Sequence, residues 1–172
     1  MSGIDLSASP PVSLNGKSVL TAILAAVAGL MFGLDLGVIS GALKFIGQEF
    51  NVTDFGKECI VSAMMVGAAL GAVSGGRLSF LFGRKRLLLS SAFLFVLGSL
   101  LCALATSVTF LIIGRMVLGV SVGIASFTAP LYISEIAHQH YRGSLISVYQ
   151  LMITVGIFVA FISDALLAYS GS

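Results

Sequence analysis

The sequence predicts an all-α, multi-pass membrane protein, and three observations predict it. Hydrophobic residues make up 58% of the 172-residue chain and charged residues only 9%, against about 25% charged in an ordinary soluble domain. The mean hydropathy is +1.09. The apolar residues are also gathered into successive stretches that each match a bilayer core of about 30 Å, which takes roughly 20 helical residues to cross.

Five spans follow one another: Val19–Phe45, Cys59–Phe80, Leu87–Ala105, Val108–Ile133 and Leu145–Ala168. At the start of the first, Lys17, an apolar stretch and Ala26-Val27-Ala28 imitate a cleavable signal peptide. The run continues well past that site to Phe45, which favours a span. Residues 1–16 are Ser/Pro-rich and weakly charged, the composition of a flexible tail. The domain division places residues 1–18 in a cytoplasmic tail and 19–172 in a transmembrane bundle. The gaps between spans are short, and no linker or charge block marks a second domain.

Lys and Arg prefer the cytoplasmic side. With the N-terminus inside, Lys17, Arg77, Arg84, Lys85, Arg86 and Arg142 are cytoplasmic, and only Lys44 and Lys57 lie outside. Topology therefore accounts for the basic residues, and the net charge of +2 is no sign of a nucleic-acid partner. Cys59 and Cys102 fall in or beside spans, so buried thiols are expected in place of a disulfide framework.

In the stretch GLMFGLDLGVISG, Gly29, Gly33, Gly37 and Gly41 recur every fourth residue and form one smooth helical stripe, with Asp35 on the opposite side. Glycine stripes let helices approach closely in lipid. A carboxylate must instead face a cavity or a partner. The first helix is thus wanted on two sides and is expected to be central, with Phe32 and Ile39 sharing the Asp35 face. Gly67, Gly71 and Gly75 on the second helix and Gly119 and Gly123 on the fourth form further stripes, best read as packing.

A buried acid needs a counterion, and Arg115 is the other strongly charged residue well inside a span. At 1.5 Å per residue Arg115 lies about 10 Å below the outer edge and Asp35 about 15 Å below it, an offset an arginine can bridge. Such a pair suits proton coupling, because a movement that alters hydration or distance can load or release a proton at the carboxylate. Arginine itself stays charged. On the fifth helix Gln150, Thr154 and Asp164 share a face with Ile157 and Phe161. An amide offers both donors and acceptors and so suits a neutral, hydroxyl-rich ligand; the alternative is that Gln150 bonds a neighbouring helix. Asp164, near the outer end, reads as hydrated.

These residues resemble the sugar porters of the major facilitator superfamily, most closely the bacterial galactose/arabinose-proton symporters. FGLDLGVISGAL, GGRLSFLFGRKR, GRMVLG, APLYISEIAHQHYRG and SVYQLMITVGI fall in that family's order over nearly the whole chain after the tail. The resemblance implies that Asp35 is the proton-accepting aspartate, paired with Arg115, and that Phe32 and Gln150 contact the sugar. It also implies a cytoplasmic charge network of Glu135 and Arg142, with Arg84 as loop partner, that helps hold the inner gate closed. Two departures stand out: Phe80 occupies the acidic position of the loop pattern GxxxDxxGR, and Ile157 stands where some sugar porters carry a second glutamine.

The family has twelve helices in two six-helix halves, so the resemblance implies the first five helices of the N-terminal half. The expected partners are a monosaccharide of the galactose, arabinose or xylose class, protons, the lipid bilayer and a C-terminal half, in the bacterial inner membrane. A chain holding only part of the sugar site is expected not to transport alone. His138 and His140 lie in a loop with no Cys or acid cluster to complete a metal site. No phosphate-binding GxxxxGK[ST] motif occurs. No cofactor and no enzymatic activity are therefore expected. The competing readings are a transporter of a drug or organic ion, and a non-transporting membrane fragment.

Overall fold

The computed structural model describes residues 16–49, 52–136 and 142–170. The expected flexible tail up to residue 15 and the loop histidines His138 and His140 lie outside the described residues. Five helices run up and down: α1 Gly16–Glu49, α2 Asp54–Phe82, α3 Arg84–Ala103, α4 Val108–Ile136 and α5 Arg142–Ser170. All five are long and apolar enough to cross a membrane. Four extend beyond the spans expected from hydropathy, because polar residues at the ends continue the helix outside the apolar slab. The third stops earlier, at Ala103, where Leu104 donates its backbone N–H to the Leu100 carbonyl.

The junctions follow from local chemistry. Thr53 caps α2, its Oγ1 accepting the Gly56 N–H at 3.4 Å, and Asp54 places a negative charge at the positive end of the helix dipole. Gly83 alone separates α2 from α3, at φ 79°, a conformation that a Cβ would penalise. Ser107 Oγ accepts the Phe110 N–H at 3.3 Å and so starts α4. α4 continues through Pro130, which lacks the N–H that would have bonded the Ser126 carbonyl.

Glycine stripes build two close seams. The α1 stripe packs on α5, where a Cβ on Gly33 would lie 2.9 Å from the Gly156 Cα. The stripes of α2 and α4 face one another, and a Cβ on Gly123 would lie 2.8 Å from the Ala72 backbone N. In lipid, where burial from water supplies little drive, this closeness supplies the dispersion contacts that hold helices together. α3 lies on α4, tied to it by Ser121 Oγ donating to the Ser91 carbonyl at 2.8 Å.

The most buried helix is α4, which corrects the expectation of a central α1. α4 packs against α2 and α3 and also touches α1 and α5, whereas α1 is committed mainly to α5. The glycine stripe that makes α1 a close-packing helix also ties most of its contact to one partner. Two apolar clusters fill the core. Ile39, Ile60 and Leu111 join α1, α2 and α4 near the α1–α2 end, and Ala129, Ile133 and Tyr149 join α4 and α5 near the other end. The outer faces stay apolar, with Val73 78% and Phe93 65% exposed, as suits a surface solvated by lipid tails.

Candidate functional site

Asp35 lies one helical turn beyond Met31 on α1, and its carboxylate faces α4. The Arg115 Nη1 stands 3.7 Å from Asp35 Oδ1, with the two side chains 8% and 15% exposed, Arg115 the more buried. That separation exceeds the 2.7–3.2 Å typical of an N–H···O hydrogen bond, so the contact is an ion pair by charge and not by a shared proton. Arg115 Nη1 also donates to Met64 Sδ on α2 at 3.8 Å. Asp35 Oδ2 and Arg115 Nε are buried with no hydrogen-bond partner among the described residues. Three helices therefore converge on two opposite charges whose bonding capacity is only part used.

The cluster of Ile39, Ile60 and Leu111 sits one turn away along each of α1, α2 and α4, on the side of the α1–α2 end. It seals the pair from that end of the bundle. Cys102 borders the same region, since a Cβ on Gly114 would lie 2.8 Å from its Sγ. Both cysteines are free thiols and half-buried.

Phe32 is half-buried on the Asp35 face and lines a cavity of about 430 Å³ between α1, α3, α4 and α5, together with Met31, Phe95, Val122 and Tyr149. Gln150 does not line that cavity, and it stands exposed on α5. The sequence places Gln150, Thr154 and Asp164 on one stripe, but the structure divides that stripe. Thr154 Oγ1 donates to the Gln150 carbonyl at 3.3 Å. Asp164 Oδ2 accepts the Gly41 N–H of α1 at 3.1 Å, so it is a link between helices and not merely a hydrated acid. Gly41 makes the notch: a Cβ there would lie 2.6 Å from Asp164 Oδ1.

A second ion pair lies at the α2–α3 end of the bundle. Arg84, the first residue of α3, bonds Glu135 near the end of α4 through its Nη2 and Oε1, with side chains 29% and 41% exposed. Arg142 opens α5 at the same end and is half-buried. The expected residues thus fall into four places: Asp35 with Arg115, Arg84 with Glu135 at the end where Arg142 also lies, Phe32 at the cavity, and Gln150 apart from it. Sequence reasoning missed Met64 and the Asp164–Gly41 bond. Met64 had no signal beyond its type, whereas the glycine stripe continuing to Gly41 opposite an acid-bearing helix could have pointed to Asp164.

The family model described as "Sugar (and other) transporter" matches residues 21–172. The chain is 58% identical over 149 residues to the galactose-proton symporter of Escherichia coli K12, a match covering 87% of this chain and 32% of that protein. It is 56% identical over 155 residues to the arabinose-proton symporter of the same strain, covering 90% and 33%. A crystal structure of a D-xylose-proton symporter superposes with a TM-score of 0.77 at 27% identity, covering 90% of this chain and 42% of that one. The five helices therefore have the fold of part of a major facilitator transporter, a multi-pass membrane architecture. The chain spans about a third of the length of the curated relatives it matches.

Proposed function

The chain belongs to the sugar (and other) transporter family, and on that premise we propose that it forms the first five helices of the N-terminal half of a proton-coupled sugar porter. The cargo is a monosaccharide of the galactose, arabinose or xylose class, moved across the cytoplasmic membrane by alternating access. The observation that carries this reading is the enclosed pair of Asp35 and Arg115. An acid at that depth in a span is expensive unless it works or is paired. This one is paired only at 3.7 Å, with one carboxylate oxygen left over.

In this reading Asp35 takes and gives up the proton, and Arg115 and the water that reaches the site set the balance between its charged and neutral forms. Phe32 offers an apolar ring one turn from the proton site, and Gln150 offers both donor and acceptor to sugar hydroxyls. The exposed position of Gln150 suits a ligand held between this bundle and a second half, as in transporters with the substrate at the repeat interface. Arg84, Glu135 and Arg142 form a charge network whose pairs make and break as the two halves rock. The bias of Arg77, Arg84, Lys85, Arg86 and Arg142 to one end supports an inside N-terminus.

The experiment replaces the matching stretch of the Escherichia coli galactose-proton symporter with residues 21–172 of this chain. Sugar-dependent proton uptake is then measured in cells. The chimera is expected to take up protons with pentoses or hexoses, and its Asp35→Asn variant to lose coupled accumulation, because an amide at that position cannot take up and release the proton. Coupled accumulation that survives Asp35→Asn would remove the proton role. The second reading, a porter of an organic cation, draws on Ile157, which leaves Gln150 without a neighbouring amide two turns on. It predicts proton uptake on adding cationic dyes and none with sugars.

A further inference from the structure

The last turn of α2 carries an apolar residue that neither core packing nor the proton site explains. Phe80 is 82% exposed, three residues before the Gly83 turn. Its ring lies under the Arg84 guanidinium, 5.8 Å from centroid to Cζ, inside the roughly 6 Å range of a cation–π contact. The same guanidinium bonds Glu135 on α4, while Arg84 Nε is buried with no partner among the described residues. The guanidinium is thus held from two directions, by a charge through Nη2 and by a ring face, with its Nε unspent.

We propose that Phe80 is a positioning residue for Arg84: its ring holds the guanidinium against α4 so that Arg84 presents Nη2 to Glu135 from a fixed orientation. The chain geometry makes this natural. Phe80 and Arg84 are four residues apart across a one-residue turn, and the positive φ of Gly83 folds the start of α3 back over the last turn of α2. An acid in place of the ring would make a second ion pair, which salt screens. A neutral ring holds the same cation without adding charge and depends far less on ionic strength. The Arg84–Glu135 pair therefore has a partner that persists when the carboxylate is screened. That this pair gates transport rests on the reading above; how Arg84 is held does not.

The test uses the 172-residue chain in lipid nanodiscs. Phenylglyoxal labels arginines, and peptide mass spectrometry reads the rate at each site, in low salt and in about 1 M salt, where the screening length falls to about 3 Å. Phe80→Leu keeps an apolar residue for the membrane interface but removes the π face. It is expected to raise the Arg84 labelling rate roughly two- to fivefold, with the excess over the native chain persisting in high salt. Phe80→Trp is expected to label Arg84 at the native rate or slower. Glu135→Gln should raise the rate in low salt and much less in high salt. Rates at Arg77 and Arg86 should stay unchanged. The proposal is overturned if Phe80→Leu labels Arg84 at the native rate, if Phe80→Trp behaves like Phe80→Leu, or if all three arginines become more reactive together. Labelling needs no transport, so a gate that proves unimportant would leave this result standing.

Discussion

Two of the ion pairs among the described residues, each joining different helices, sit in opposite circumstances. Asp35 and Arg115 sit among apolar side chains from three helices, far from either end, at 3.7 Å and with unspent bonding atoms on both partners. Arg84 and Glu135 sit at the end of the bundle, closely bonded and about a third exposed. The tighter geometry belongs to the pair with less at stake. At the bundle end, water and salt screen the charges, and such pairs contribute about 0–1 kcal/mol. In the interior, losing one partner strands the other in a medium that cannot solvate it. A long, incompletely satisfied pair in that setting is easy to perturb by small movements, which is what a coupling site requires. A close pair at a water-facing end can open and close without unfolding anything.

The largest expected effect lies in the interior. Arg115→Leu should destabilise the bundle by about 3–5 kcal/mol, the range for breaking a buried pair from one side. Adding Asp35→Asn to that variant should recover a large part of the loss, because no charge is then stranded. Denaturant titration of the two variants in detergent micelles checks both statements, and equal stability of the single and double variants would contradict them.

Asp164 tests the case between the extremes. Its carboxylate, partly buried at the far end of α5, accepts one backbone N–H from Gly41. Asp164→Leu should cost about 1.5–3 kcal/mol, as for a hydrogen bond to a charged group. The loss should appear as faster hydrogen exchange at Gly41 than at Gly33. Gly33→Val should cost about 1–3 kcal/mol by overpacking, since even a Cβ would stand 2.9 Å from Gly156. Because α1 carries Asp35, this wedge should also change the Asp35–Arg115 separation, readable with spin labels on α1 and α4. Smallest of all, Glu135→Gln should change stability by less than about 1 kcal/mol, and that change should shrink as salt is added. The interior pair should show no comparable salt response.

Much of the fold was legible because membrane spans announce themselves through composition and length. The glycine stripes of α1, α2 and α4 also declared that close seams would form, since a four-residue repeat puts every glycine on one side of a helix. The match in depth between Asp35 and Arg115 followed from counting residues inward from span ends. The grouping of Arg84 with Glu135 came from family resemblance, and their closeness is a property of the folded chain. Gln150 shows the limit: periodicity groups it with Asp164, yet one faces outward and the other bonds α1.

Composition and helical period by themselves determined that this chain crosses a membrane five times, which faces pack closely, and that an acid and an arginine lie at similar depth. Those quantities depend only on residue type and on rise and rotation per residue. Tertiary structure alone decided that α4 and not α1 forms the centre, that Met64 shares the Arg115 guanidinium, that Asp164 enters the Gly41 notch, and that Phe80 lies beneath Arg84. Each of these depends on how one helix is rotated and tilted against another. That is set by the sum of many weak contacts across the seams, which no single stretch of sequence contains.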